Sequence, residues 1–183
     1  MASPLDPEKV ARIEPVSIAR RLFRLVPERY REEALSTVGS LQYGGRYNPP
    51  REFGVLYLGE DEEVCWAELR RRAGETEFLR EPQVFAEVGV ELERVLDLTD
   101  EEVLRELGIE EEELLKATGD EAEDYRLTRE IARTARAAGF EALKVRSVTS
   151  RGSNLVVFTD KLSGSSRVEL LELRPASWDS RAL

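Results

Sequence analysis

The hydrophobic period of this chain switches repeatedly between strand and helix along its length, and that order limits the folds open to it. Strand-like runs stand near both ends: "RRLFRLV" (Arg20–Val26) and "GVLYLGE" early, "FEALKV", "NLVVFTD" and "RVELLEL" late. Helical spacing fills the middle, interrupted by two further strand-like runs, "QVFAEVGVEL" and "RVLDLT". This order favours an α+β fold with a mixed sheet over a doubly wound α/β fold. The 183 residues suit one domain, and no interior boundary or repeat stands out.

Capping residues mark the helices. "DPEKVARIEP" reads as a short helix before a proline. "DEEVCWAELRRRAG" has Asp61 as N-cap, acidic residues in its first turn, arginines in its last and Gly74 to close it. In "TDEEVLRELG", Thr99 and Glu102 are spaced as a capping box, with Gly108 at the end. "IEEEELLKATG" reads as a second short helix. "DEAEDYRLTREIARTARAAG" reads as one long helix, capped by Asp120 and Glu123, lined by Leu127, Ile131, Ala135 and Ala138 and ended by Gly139. "KLSGSS" is a turn, so the last two strands are expected to form a hairpin across it.

Composition removes several kinds of chemistry. The chain has no histidine, so the usual general base, the Ser-His pair and the commonest zinc ligand are all missing. Catalysis would rest on carboxylates, hydroxyls, arginines and backbone amides, with no metal expected. The one cysteine, Cys65, allows no intrachain disulfide. No apolar run reaches membrane-spanning length and the N-terminus lacks a signal peptide's apolar core, so a cytoplasmic location is expected. Net charge is −10, and Asp97–Asp124 alone carries 13 acidic and two basic residues. The remainder is close to neutral. An acidic lobe argues against direct nucleic-acid binding but leaves room for a local cationic pocket. The acidic run itself reads as a solvated helical face.

"YGGRYNPP" (Tyr43–Pro50) suits neither a helix nor a central strand. Gly44 and Gly45 permit unusual backbone angles and close approach, while Pro49 and Pro50 stiffen the chain beyond Asn48. Such a loop suits an arginine, Arg46, aimed at an anion; the alternative is a surface turn with a local ion pair. Glu68 shares a helix face with Val64, Ala67 and Arg71, which puts a carboxylate beside the buried stripe; a pair with Arg71 or Arg72 is the alternative. Ser147 follows a strand and opens a loop holding Thr149, Ser150, Gly152 and Ser153. Those hydroxyls could bond a ribose or an amide, or simply shape a turn. Strand alternation sends Arg20 and Arg24 to one face and Arg21 to the other. Tyr57 is either a half-buried core tyrosine or a stacking surface for an aromatic ring.

In this order the blocks "LFRL", "GGRYNPP", "VLYLGED…CWAEL" and "AGFEALKVRSVTSRGSNLVVF" resemble the RES-domain family, named for an arginine, a glutamate and a serine. The resemblance runs from about residue 21 to residue 158, within one domain spanning 1–183 whose residues 1–19 form an N-terminal extension. It places the family's arginine on Arg46, its glutamate on Glu68, its serine on Ser147 and a family tyrosine on Tyr57. Arg24, Gly45 and Asn154 fall in the matched blocks as further NAD-binding positions. Tyr47 stands where many members carry tryptophan, and the acidic segment has no match.

The resemblance implies a split, mixed and mostly antiparallel sheet similar to the ADP-ribosyltransferase fold. It implies NAD⁺ as substrate, cleaved at the nicotinamide–ribose bond with water or phosphate as acceptor. Transfer of ADP-ribose to a protein, or NAD binding without turnover, are the alternatives. It further implies a toxin of a toxin–antitoxin pair, with a helix-turn-helix antitoxin as partner, no direct contact with nucleic acid or membrane, and self-assembly left open.

Overall fold

A pair of long strands organises the molecule. The computed structural model describes residues 5–73, 81–149 and 152–176. Strand β1 (Val16–Pro27) runs antiparallel to β3 (Gln83–Asp97) over almost its full length, from Val16 opposite Val95 to Pro27 opposite Gln83. The other edge of β3 is shared end to end. Antiparallel β6 (Arg167–Ala176) covers residues 83–91, and parallel β4 (Ala142–Arg146) covers residues 95–97. Antiparallel β5 (Ser153–Val157) joins β4 to β2 (Leu56–Gly59), and β2 meets β1 where Phe23 faces Gly59. The sheet order is β1-β2-β5-β4-β3-β6, and the β1–β3 pairing closes the first five strands into a ring. This is the mixed, mostly antiparallel α+β architecture expected.

The ends of the strands correct two expectations. "QVFAEVGVEL" and "RVLDLT" form one strand, β3, not two. At their junction the register against β1 slips between Val16 and Ile18. The amides of Glu93 and Arg94 are taken up by the Glu141 carboxylate at 2.9 and 3.1 Å, so the strand continues through the irregularity. The expected hairpin of the last two strands does not form. β5 buries Leu155, Val156 and Val157 on both faces and takes a neighbour on each edge, whereas β6 is largely exposed and lies against β3.

The helices are α1 (Pro7–Arg12), α2 (Val38–Tyr43), α3 (Glu62–Ala73), α4 (Glu101–Leu107), α5 (Glu111–Leu114), α6 (Glu121–Asp124) and α7 (Arg126–Ala137). A 3₁₀ stretch, Glu28–Glu33, precedes α2. Asp61 accepts the Val64 amide at 2.8 Å at the start of α3; its proposed end at Gly74 lies outside the described residues. The cap of α4 is Asp100, which accepts the Glu102 amide at 2.8 Å, not Thr99, whose amide and hydroxyl both bond Asp97. The expected long helix from Asp120 is broken at Tyr125 into α6 and α7. Asp124 turns inward there and accepts the Thr118 hydroxyl at 2.8 Å and the Gly119 amide at 3.2 Å. Gly139, at φ 86°, follows α7 in a conformation that favours glycine.

Strand alternation divides the core in two. Val156 and Phe158 face the helices, packing with Leu143, Val145, Leu104, Leu114, Ile131 and Ala135. Leu5, Val10 and Ile13 join this core, so the N-terminal segment is packed into it. Leu155 and Val157 face the other side, with Leu22, Val26, Leu56, Leu58 and the alternate residues Val84, Ala86, Val88 and Val90 of β3. Among the described residues no helix is long and apolar enough to cross a membrane.

Candidate active site

The Arg46 loop is held by its own short-range chemistry. Gly45 and Asn48 form a bridge, with the Gly45 amide donating to the Asn48 carbonyl at 2.8 Å. Gly44 has φ 72°, and a Cβ there would meet Pro50 at 2.8 Å. A Cβ on Gly45 would meet the Tyr57 hydroxyl at 2.6 Å, closer than any side chain can come. Asn48 is fully buried; its amide nitrogen donates to the carbonyls of Ser40 and Phe53 at 2.7 and 3.1 Å. The Tyr57 hydroxyl donates to Asn48 Oδ1 at 2.9 Å and accepts the Tyr47 amide at 3.0 Å. Burial pushes the Tyr57 phenol up to about 12, against the opposing pull of that amide. Tyr57 therefore fastens the loop through its hydroxyl while its ring stays half-buried.

Arg46 is 8% exposed and is met by residues far along the chain. Its Nη1 donates to the Leu114 carbonyl at 3.1 Å, and its guanidinium lies over the Tyr125 ring, 4.6 Å from the centroid. Its Nε is buried without a hydrogen-bond partner among the described residues. The main chain on either side of Gly45 and Arg46 is held from α7: Thr128 donates to the Arg46 carbonyl at 2.5 Å and Arg129 Nε to the Gly45 carbonyl at 2.9 Å.

The acidic segment is thus more than the solvated face expected of it. Leu114, at the end of α5, offers a carbonyl to Arg46. Asp124 is buried, and although burial would raise its carboxyl, bonds from Thr118 and Gly119 and the nearby Arg46 charge hold it below its ordinary range.

Glu68, Ser147 and Asn154 meet in one hydrogen-bonded group. Asn154 lies on β5 between Gly59 of β2 and Val145 of β4, and Ser147 comes two residues after Val145. Helix α3 brings Glu68 to the same place. Glu68 Oε1 accepts the Ser147 hydroxyl at 2.6 Å and the Asn154 side-chain amide at 3.2 Å. Glu68 Oε2 has a longer contact, 3.4 Å, with Arg71 Nε. Because the Ser147 proton goes to a carboxylate, Thr149 must donate in the 2.7 Å contact between the two hydroxyls. The Thr149 amide also donates to Ser147 Oγ, at 3.2 Å.

The two halves of the site are neighbours. The buried Tyr47 phenol, raised by desolvation, feels both the Arg46 and the Glu68 charge. Arg24 is not bonded to either half. Its Nη1 donates to the carbonyls of Ala34 and Ser36 at 2.7 and 3.1 Å, and burial together with the charge of Arg72 lowers its pKa to about 10. Arg20, on the same strand face, is exposed, and Arg21 pairs with Glu87 at 2.9 Å.

The sequence reading missed Leu114, Tyr125, Thr128 and Arg129. Only Thr128 left a signal. It sits three residues before Ile131 on the apolar stripe, and a hydroxyl buried there needs an acceptor.

A ring-closed α+β sheet thus carries a carboxylate, a hydroxyl and an amide converging at its strand ends, with an arginine fixed on a glycine loop nearby. The chain belongs to the RES domain family, which matches residues 21–179. Relatives include the NAD(+) phosphorylase MbcT of Mycobacterium bovis and of Mycobacterium tuberculosis, each 42% identical over 41 residues. That stretch is 22% of this chain and 22% of each relative's length. Among solved structures, the M. tuberculosis MbcT–MbcA toxin–antitoxin complex contains a chain that superposes with a TM-score of 0.79 at 22% identity, over 93% of this chain and 91% of that one. At that identity the likeness is one of fold.

Proposed function

We propose that this chain consumes NAD⁺ by cleaving the bond between nicotinamide and ribose, with water or phosphate as acceptor. The observation that carries the reading is Glu68, fixed through Oε1 by Ser147 and Asn154 while Oε2 has, among the described residues, the long Arg71 contact. Such a carboxylate can take a ribose hydroxyl on Oε2 and face positive charge as it develops.

The chemistry suits these residues. The C1′–N bond breaks, its electron pair goes to the pyridinium nitrogen, and nicotinamide leaves neutral without an acid. The ribose becomes oxocarbenium-like, as in glycoside hydrolysis, and Glu68 stabilises it electrostatically. Water or phosphate then forms the new C1′–O bond, and an attacking water releases its proton to solvent. Arg46, with its Nε unpartnered among the described residues, suits the pyrophosphate. Ser147 is given an orienting role, because the chain has no histidine to activate it as a nucleophile. The half-buried Tyr57 ring suits the nicotinamide face, and Arg24, Gly45 and Asn154 complete the binding set.

The test is to incubate the pure chain with NAD⁺, with and without phosphate, and identify products by mass. Nicotinamide with ADP-ribose indicates hydrolysis. Nicotinamide with ADP-ribose 1″-phosphate indicates phosphorolysis. Label carried onto protein would move the reading to an ADP-ribosyltransferase, and binding without release would leave a non-catalytic NAD-binding domain.

The chain would act in the cytoplasm as a toxin held by an antitoxin partner, a reading supported by the family and by the assembly in which the M. tuberculosis MbcT fold neighbour was solved. Its own surface supports a partner too. Ala34–Pro50 holds a single charged residue, Arg46, in a chain that is 35% charged, and Val38, Leu41 and Tyr43 of α2 are 64%, 38% and 75% exposed. Apolar side chains bared beside the Arg46 loop suit an apolar segment of an antitoxin lying over the cleft. Expression of the chain alone should lower cellular NAD⁺ and arrest growth, and co-expression of the neighbouring open reading frame should restore it. Harmless expression of an active chain with NAD⁺ unchanged would reject the toxin reading.

A further inference from the structure

We infer that Thr128 and Arg129, at the start of α7, are positioning residues that set the Arg46 loop for its ligand. The inference rests on the proposed clamp role of Arg46. The loop's own bonds, Gly45 to Asn48 and Tyr57 to Tyr47 and Asn48, fix its shape, but they leave the Arg46 carbonyl to be satisfied from elsewhere and give the Gly45 carbonyl a long contact, 3.4 Å, from the Asn48 amide. Thr128 takes the Arg46 carbonyl at 2.5 Å and Arg129 Nε takes the Gly45 carbonyl at 2.9 Å. These residues lie 82 and 84 positions away in sequence, so α7 and the loop are tied by a tertiary contact.

The geometry of Thr128 separates positioning from plain helix chemistry. A threonine inside a helix can satisfy itself on a preceding carbonyl, and Thr128 has the Tyr125 carbonyl at 3.2 Å. Its hydroxyl has one proton, and the much shorter contact is to Arg46. Thr128 is fully buried, so no water competes for that bond. Arg129 has a second tie, Nη2 to Glu121 at 3.1 Å. Its guanidinium and that of Arg46 both lie over the Tyr125 ring, at 5.1 and 4.6 Å. Side chain and main chain of Arg46 are therefore referenced to one short piece of structure, Tyr125 to Arg129. Small displacements of a positioned group weaken its contacts to a ligand, so α7 sets how well Arg46 meets the pyrophosphate.

The experiment uses the full chain with Thr128→Val, Thr128→Ser, Arg129→Met and Arg129→Lys. Backbone hydrogen exchange over residues 43–48 is measured alongside KM and kcat for nicotinamide release from NAD⁺. Thr128→Val keeps the shape and loses the donor; Arg129→Met keeps much of the stem and provides a second, less buried variant. Both should speed exchange locally in 43–48 and raise KM about fivefold with kcat within about twofold, the pattern of lost binding to a non-reacting part of the substrate. Thr128→Ser should restore both readouts, and Arg129→Lys should do so in part. Exchange unchanged in 43–48, or raised evenly over the whole chain, would overturn the inference. A wild-type chain that does not cleave NAD⁺ would sink the proposed function, while exchange in 43–48 would still decide the positioning.

Discussion

Ser147 donates its hydroxyl proton to Glu68 at 2.6 Å, across 79 positions of sequence. A strand end and a helix face are brought together by that bond, and it orders both groups. The carboxylate gains a fixed direction. The hydroxyl, its proton directed to the carboxylate, accepts from Thr149.

Ser147→Ala should therefore slow nicotinamide release by about tenfold, the scale of one lost charge-assisted hydrogen bond, because Asn154 still holds Oε1. Steady-state release assays check the rate. A peptide mass map of the wild-type chain after turnover should carry no ADP-ribosyl adduct on Ser147, and finding one would make the serine a nucleophile.

Arg46→Ala should weaken NAD⁺ binding by on the order of a hundredfold, the effect of removing a charged hydrogen-bond donor from a buried anion site. Arg46→Lys should recover part of it, since an ammonium supplies charge without the planar fork. Calorimetric titration with NAD⁺ measures both. Unchanged affinity in Arg46→Ala would move the clamp elsewhere, and Arg24 is the first candidate.

Tyr57→Phe removes one oxygen and leaves Asn48 Oδ1 and the Tyr47 amide without their shared partner. The cost in stability should be about 2 kcal/mol, from two buried polar groups left unsatisfied. Urea denaturation measures it. No loss of stability would mean that the hydroxyl does not fasten the loop.

Glu141 carries an acid-stability prediction. It is 1% exposed, and burial alone would raise its carboxyl. Hydrogen bonds from Ser163, Ser166 and Arg94 win and hold it at about 2. A carboxyl lowered in the folded state contributes stability that is present above its unfolded value, about 4.3, and is lost as pH falls toward the folded value. The wild-type chain should thus lose stability between about pH 5 and pH 2, and Glu141→Gln should be less stable at neutral pH by about 2 kcal/mol with a shallower acid slope. Denaturation at a series of pH values shows whether the two slopes differ; equal slopes would remove Glu141 from the acid response.

What could be read from the sequence was local. The apolar run of β5 and the amphipathic stripe of α7 are written in neighbouring residues, so the α+β class followed from such runs. The RES blocks located Arg46, Glu68, Ser147, Tyr57 and Asn154, and the structure bonds Glu68 to Ser147 and Asn154, and places Tyr57 under the Arg46 loop. The partner strand of β6 was not legible, because a turn signal such as "KLSGSS" does not say which edge lies free beyond it. Nor was the continuity of β3 through Glu93 and Arg94, which depends on Glu141, 48 and 47 residues away. Tyr125 looked like the interior of one helix because its neighbours keep helical periodicity; the break serves Asp124 and Arg46, which no local pattern records. Leu114 contributes only a carbonyl, and a main-chain group has no signature in the residue code.

The central claim is that Glu68 carries NAD⁺ cleavage. Nicotinamide release from NAD⁺ by the wild-type chain and by Glu68→Gln, both verified as folded by circular dichroism, tests it most directly. The account predicts measurable release by the wild type and a fall of about a hundredfold or more in Glu68→Gln, the scale of losing one group that stabilises transition-state charge. Wild-type turnover in a folded Glu68→Gln chain would contradict it.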